Sequence, residues 1–424
     1  MVGKTFKVVT LGCRTNQYES QAYADQLQAL GYRQASDTER ADVCVVNTCT
    51  VTESADSSSR HQVRQIARDN PGAKILVTGC SAERDPSSLS QIEGVLHVVP
   101  NAEKENLLAK IFPEELLPEF AIKNFEGHTR SFVKVQDGCN SFCTYCIIPY
   151  VRGRSRSRRL DDILKEIKDL VANGFKEVVL TGINIGDFDG APLEGETKVA
   201  LSDLVRAVDA IEGVERVRIS SIDPDEVDDD LIDAVLSGKH TCHSFHIVLQ
   251  SGSNVVLKRM NRKYTREIFQ GTIQKVKAAS QDFTFTTDII VGFPGESDAD
   301  FQDTLDVMKS VGFAKVHMFP YSERKRTRAA LFPGKVAHAV IQERKKMLLS
   351  LAEQQAHLLR QSFVGKTMKV LLESEEANQP GVFSGHTDNF LPVLVEGDGL
   401  SSNQIVDVYL EENTPSALKG RKVV

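Results

Sequence analysis

Cys139, Cys143 and Cys146 set three thiols within eight residues, spaced four and then three apart. Soft ligands this close on one loop can face a single metal centre, and thiolates select zinc, copper(I) or iron–sulfur. A structural zinc site closes a tetrahedron with four ligands, and a fourth Cys or His is missing nearby. Three cysteines on a four-iron cluster instead leave one iron without a protein ligand, open to a small molecule. The neighbours Asn140, Ser141 and Thr144 are polar and Pro149 follows, a context unlike that of ordinary core cysteines. The segment reads as a metal loop, iron–sulfur in preference to zinc.

A second set of cysteines is scattered. The apolar run Lys7–Gly12 leads into Cys13, Val45–Thr48 into Cys49, and Ile75–Gly79 into Cys80. In a parallel sheet the carboxyl ends of the strands share one edge, where ligands bind. Cysteines just past three such ends can converge despite their separation in sequence. The competing reading is three buried small hydrophobes, which suits Cys44 inside the run Val43–Val46. Beyond Cys49, Arg60, Arg64 and Arg68 fall on one face of a helix expected over about 55–68. They form either a solvated stripe or a phosphate contact.

The elements that must hold these residues follow from patterning. Residues 1–125 alternate short apolar strands with amphipathic helices, predicting a small parallel α/β domain, with 113–127 as a linker. Residues 126–361 repeat strand and helix. Strands are expected near 132–135, 178–180, 217–220, 245–249, 285–291 and 315–319. Helices are expected near 160–173, 201–211, 226–236, 265–279 and 298–310. Six such units with the metal loop after the first strand predict a partial (βα)6 barrel, its site at the carboxyl ends of the strands. Those ends carry Gly182 and Asn184, Ser221, Gln250 and Gly292. Glycines let backbone approach a ligand, and hydroxyls and amides bind one, as a nucleoside with an amino-acid tail would need. Residues 362–424 break into short runs between turns, predicting a small antiparallel β-barrel.

Composition sets the outer bounds. The 424 residues are 41% hydrophobic and 26% charged with net charge −7, an ordinary globular balance that excludes a uniformly basic coat. No apolar run approaches the roughly 18 residues of a membrane span. Met1–Thr10 leads into a strand rather than a signal peptide. Eight cysteines in so long a chain are no disulfide scaffold, and a reducing cytoplasm is expected.

Asp137-Gly138-Cys139-Asn140, Cys146-Ile147-Ile148-Pro149, Arg152-Gly153 and Ser157-Arg158 together resemble the radical S-adenosylmethionine methylthiotransferases. So do Leu11–Ser20, Val46–Thr52 and Thr78–Cys80, and the likeness covers nearly the whole chain. The resemblance implies one four-iron cluster on Cys139, Cys143 and Cys146, and an auxiliary one on Cys13, Cys49 and Cys80 that carries the transferred sulfur. It implies S-adenosylmethionine contacts from Tyr145, Gly182, Asn184, Ser221, Gln250 and Gly292, and a terminal barrel similar to the RNA-binding TRAM domain. Partners implied are tRNA, a flavodoxin- or ferredoxin-like electron donor and a sulfur source. Val248 stands where the family commonly has proline, which alters stiffness more than chemistry. Val45–Thr52, Asn16–Ser20 and Leu180–Asp187 most resemble the branch that modifies N6-threonylcarbamoyladenosine beside the anticodon. Other branches act on isopentenyladenosine tRNA or on a ribosomal-protein aspartate. A non-catalytic iron–sulfur RNA-binding or redox protein is the reading from another class, but it would have no use for the strand-end loops.

RNA needs local cations on so acidic a chain. From 363 to 424 there are five Lys and Arg against nine acids, so the terminal barrel supplies phosphate neutralisation poorly. Arg154, Arg156 and Arg159 crowd after the metal loop and are expected to hold anticodon-arm phosphates.

Overall fold

Strand β2 (Val43–Thr48) is buried along its whole length, after β1 (Thr5–Thr10) and α1 (Arg14–Ala29). Its alternation sorts the cores: Val43 and Val45 pack with Phe6, Tyr23 and Leu76, whereas Cys44 and Val46 pack with Val63, Ile75 and Val77. A strand apolar on both faces belongs in a covered parallel sheet. Helix α2 (Glu53–Asp69), β3 (Lys74–Gly79) and β4 (Val95–Val98) complete it. The sheet order is Arg33–Gln34, β1, β2, β3, β4, with every pair parallel. Cys44 is core, as expected. The computed structural model describes residues 4–125 and 127–423.

The second body alternates β5 (Arg130–Lys134), α3 (Leu160–Ala172), β6 (Glu177–Thr181), α4 (Leu201–Asp209), β7 (Arg216–Ile219) and α5 (Asp229–Ser237). It continues with β8 (Ser244–Ile247), α6 (Arg266–Ala279), β9 (Thr284–Val291), α7 (Asp298–Val311) and β10 (Lys315–Pro320). Strands β7-β6-β5 form one parallel sheet and Ser221–Ile222, β8, β9 and β10 another, joined by a bridge from Val217 to Thr241. The result is the expected partial barrel, with β5 and β10 as its free edges. Helix α1 closes the β5 edge by sending Tyr18 and Ala22 into the barrel's core, and α8 (His338–Gln361) packs along β10.

Two local differences have plain causes. Glu226 was expected inside a helix, but Pro224–Glu226 form a single 3-10 turn and α5 starts three residues later. The start is fixed by Asp228, whose side chain accepts from the Leu231 amide as an N-cap. Residues 113–127 carry no strand or helix in the described part, yet they are more than a linker. Ile122 and Phe125 are buried in the barrel core, and the Ile122 amide donates to Glu166 Oε1 at 2.7 Å.

Residues beyond α8 close a five-stranded barrel of β11 (Thr367–Glu375), β12 (Val382–Thr387), β13 (Pro392–Glu396), β14 (Ile405–Asn413) and β15 (Leu418–Lys422) around its own core. Four strand pairs are antiparallel and the β13–β15 pair is parallel. This barrel sits against the amino-terminal ends of the larger barrel's strands. Arg216 at the start of β7 donates to His386 O at 2.9 Å and Lys369 O at 2.7 Å, and Arg130 pairs with Glu373 at 3.1 Å. The carboxyl ends of the strands stay free for chemistry.

Candidate functional site

Cys13 is the N-cap of α1, Cys49 follows β2, and Cys80 opens a short helix after β3, so one sheet edge presents all three. Gly12 makes the approach possible. At φ +104° it takes a backbone that other residues avoid, and a Cβ there would lie 3.0 Å from Cys49 Sγ. Each of the three thiols lies within the field of the others. Burial pushes the Cys49 thiol up and the Cys80 thiol to about 11, values that a bound metal would overturn by taking the thiolate.

Behind Cys80 lies a buried lattice of charge. Arg152 Nε donates to Cys80 Sγ at 3.3 Å, while Nη1 reaches Glu19 Oε1 at 3.1 Å and Asp137 Oδ1 at 2.8 Å, and Nη2 donates to Asn16. Lys104 Nζ pairs with Glu19 at 2.6 Å and with Asp137 at 2.5 Å, and Lys134 Nζ lies 3.7 Å from Glu19. Burial would raise the Glu19 carboxyl, but Arg152, Lys104 and Lys134 outweigh it and hold the group below the carboxylate range. Three buried cations face two buried carboxylates here. Glu105, at the surface, lies 3.5 Å from Lys134 Nζ and completes the balance, yet Arg152 turns its Nε to a sulfur, and an anionic thiolate-bound cluster on Cys80 would meet that charge. The residues present therefore fit the group.

The other three cysteines lie on the loop after β5, near the same lattice through Asp137. Gly138, at φ +73°, lets that loop close: an added Cβ would sit 2.1 Å from Arg154 O, and Cys139 N donates to Gly153 O at 3.1 Å. Arg262 Nη1 donates to Cys143 Sγ at 3.0 Å and Nη2 to Asp223. Burial raises the Cys139 thiol and pushes Cys146 to about 12, with the neighbouring thiols adding to both. Tyr145 packs its ring edge-on to Phe293 at 6.5 Å. Among the described residues no three Cys, His, Asp or Glu side chains close around a single metal ion. A four-iron cluster is a larger body, and its thiolates stand apart around it.

Polar atoms without partners mark the rest of the site. Ser141 Oγ, Asp187 Oδ2, Ser220 Oγ, Glu226 Oε2 and Gln250 Oε1 are buried with no hydrogen bond among the described residues. Buried polar groups are normally paired, so five orphans around the metal loop and the strand ends ask for a polar ligand. Asn184 Nδ2 donates to Glu226 Oε1 at 2.9 Å, and burial beside Asp223 and Asp187 pushes Glu226 to about 7. Gln250 holds φ +63°, and Gly182 lies against Gln136. The structure moves two expected contacts. Ser221 is exposed and its neighbour Ser220 carries the orphaned hydroxyl, because the short strand Ser221–Ile222 turns alternate side chains in and out. At Gly292, φ +80°, a Cβ would lie 2.5 Å from Ile341, so this glycine makes room for α8.

Sequence reading missed Glu226, Asp187 and Arg262, which lack any local motif, and Gln136. Gln136 ties the site together: its Oε1 accepts from the Ile183 and Asn184 amides at 3.0 and 2.9 Å. Its Nε2 donates to Asp137 O, Gly138 O and Ser155 Oγ. The three arginines expected at RNA differ among themselves. Arg154 is exposed and stacks over Phe142 at 4.5 Å, Arg156 pairs with Asp137 at 3.2 Å, and Arg159 pairs with Glu196 at 3.2 Å. A cleft of about 770 Å³ opens elsewhere, between α8, β10 and the terminal barrel, but no cysteine lines it.

A three-cysteine loop after the first strand of a parallel partial barrel, with polar orphans at its strand ends, defines a radical S-adenosylmethionine enzyme. The family described as "Radical SAM superfamily" matches residues 133–308, and "Uncharacterized protein family UPF0004" matches 5–100. The chain is 49% identical to the threonylcarbamoyladenosine tRNA methylthiotransferase MtaB of Chlamydia pneumoniae, over 99% of this chain and 98% of that one. It is 37% identical to MtaB of Bacillus subtilis (strain 168), over 95% and 92%. It is 33% identical to the tRNA-2-methylthio-N(6)-dimethylallyladenosine synthase of Finegoldia magna, over 99% and 94%. Among solved structures, the radical S-adenosylmethionine methyltransferase TsrM from Kitasatospora setae has the same fold, with TM-score 0.56 at 13% identity over 78% of this chain and 77% of that one. The chain belongs to the radical S-adenosylmethionine tRNA methylthiotransferase family.

Proposed function

We propose that this protein converts N6-threonylcarbamoyladenosine, next to the anticodon in tRNA, into its 2-methylthio derivative. The observation that carries the reading is Arg152, buried between the two cysteine sets and bonded to Cys80 on one side and Asp137 on the other. It supports two four-iron clusters, on Cys139, Cys143 and Cys146 and on Cys13, Cys49 and Cys80, that serve one cavity. When bound, S-adenosylmethionine would supply, on accepting one electron from the external donor, a primary carbon radical able to take hydrogen from an sp² C–H such as adenine C2, and a second molecule would supply a methyl group for sulfur.

The chain's own residues prepare that place. Arg152 and Arg262 each donate to a cysteine sulfur, which fixes where it points. Gln136 fixes the Ile183 and Asn184 amides beside the metal loop, while Asp187, Ser220, Glu226 and Gln250 offer free acceptors for ribose hydroxyls and an ammonium group. The target base must leave its stack to reach this depth.

The division at about 125 and 361, a TRAM-like role for the terminal barrel, a flavodoxin- or ferredoxin-like donor, a separate sulfur source and a cytoplasmic setting complete the proposal. No helix among the described residues is long and apolar enough to cross a membrane. Anaerobically reconstituted protein is expected to hold about eight irons. Replacing Cys139, Cys143 and Cys146 by Ala should halve the iron and abolish S-adenosylmethionine cleavage. Replacing Cys13, Cys49 and Cys80 should halve it and leave some cleavage. Full iron in the second triple variant removes the auxiliary site. Nucleoside mass spectrometry of tRNA from cells lacking the protein should show the unmethylthiolated nucleoside accumulating, and an unchanged profile refutes the substrate.

A further inference from the structure

Arg14 follows Cys13 directly, and its guanidinium is unlike those around it. Arg130, Arg216 and Arg218 each have a carboxylate partner, Glu373 at 3.1 Å and Glu177 at 3.5 and 2.7 Å. Arg14 has no hydrogen bond or ion pair among the described residues and rests over the Phe132 ring at 5.4 Å. Its attractive neighbours are engaged elsewhere: Glu177 holds two arginines, and Asp288 Oδ1 lies 3.3 Å from His246 Nε2.

Arg14 is electrostatically coupled to residues of β5, β6, β7 and β9, and to His317 on β10. These strands come from both sheets, so the guanidinium stands inside the space they enclose, at the seam between β5 and β10. The wall there is polar. His246 Nδ1 meets Thr286 Oγ1 at 2.8 Å, the His246 and His317 rings lie 5.7 Å apart, and His246 Nε2 lies beside Asp288. A half-buried cation without a partner is costly unless an anion joins it.

We infer that Arg14 receives the carboxylate of the threonylcarbamoyl group, and so sets the choice of substrate; this rests on the function proposed above. A planar guanidinium presents a fork that fits a carboxylate with two parallel hydrogen bonds. The first turn of α1 contains no acid, so its amino-terminal dipole adds to the attraction. Adenine C2 and N6 sit on different corners of one ring. C2 and C6 both flank N1, so a base with C2 at the cysteine edge has its N6 group beside that edge, where the threonylcarbamoyl arm can extend along the wall to the polar seam. An isopentenyl group would leave Arg14 unpaired, and a site built for a polar group rejects an analogue that lacks it.

The test measures binding of the holoenzyme, under anaerobic conditions, to fluorescent anticodon stem-loops. These carry threonylcarbamoyladenosine, its methyl ester or isopentenyladenosine. The wild type should bind the acid about ten- to hundred-fold more tightly than the ester, the range of a charged hydrogen bond. R14Q should reduce that ratio to about one with iron content unchanged, and R14K should retain part of it through charge alone. An acid-over-ester ratio near one in the wild type overturns the assignment without reference to any variant, as does an undiminished ratio in R14Q. A wild type that binds isopentenyladenosine as well as both other loops refutes the substrate reading itself.

Discussion

Glu226 carries an unusual proton. Burial pushes its carboxyl from 4.5 to about 7, with Asp223 adding to the rise and the Asn184 amide opposing it. Between those values the folded protein holds a proton that the unfolded chain has released, so stability falls as pH rises from about 4.5 through 7. E226Q abolishes the penalty. Its melting temperature should exceed that of the wild type above pH 7, and the two should converge below pH 4.5; a difference independent of pH would refute the assignment. Arg154 offers a second reading at this scale, because its charge has no acid to satisfy among the described residues, whereas Arg159 is paired with Glu196. R154Q should lower the salt slope of tRNA binding by about one unit and R159Q by less. Equal slopes for both variants and the wild type would exclude phosphate contact by either residue.

Loops, rather than strands or helices, carry the site, and their closure can be tested. In G138A the new methyl would meet Arg154 O, so the loop holding Cys139, Cys143 and Cys146 cannot close. This variant should lose about half its iron and keep the rest. Full retention would mean that the loop tolerates opening. The same loops show what the sequence conveyed. The cysteine spacing, the strand-end turns and the apolar runs were legible because each is local, and β5 to β10 lie where periodicity put them. Gln136, Glu226 and Arg262 were illegible because each acquires its role from a partner 39 to 48 residues away. The packing of Ile122 and Phe125 was hidden for a similar reason: two apolar residues in a patternless stretch do not reveal the core they fill.

At the scale of the molecule, the terminal barrel is part of the larger barrel's floor. It satisfies Arg216 through two backbone carbonyls, stacks Phe390 beneath Arg218 at 4.9 Å and accepts from Thr284 through Asn389 O. Deleting 363–424 would strip two carbonyl acceptors from the Arg216 guanidinium, and a hydrogen bond to a charged group is worth about 1.5–3 kcal/mol. The truncated chain should therefore melt well below the full one, before any effect on RNA is considered; an unchanged melting temperature would show that the floor closes by itself. The Arg152 lattice also bears on how the chain comes into being. Asn16, Glu19 and Cys80 wait for Arg152, and Asp56 waits for Arg324, which lies 268 residues later. At about 5–20 residues per second, a ribosome takes roughly 15–50 s to cover that interval. Early in it, between the end of β4 at Val98 and the arrival of Arg152, the first sheet is complete in strands but lacks the guanidinium that joins Cys80 to Glu19 and Asp137. Iron delivered before then would meet a half-built cradle, so loading of the first cysteine set belongs after Arg152 has been made and has folded back onto the sheet.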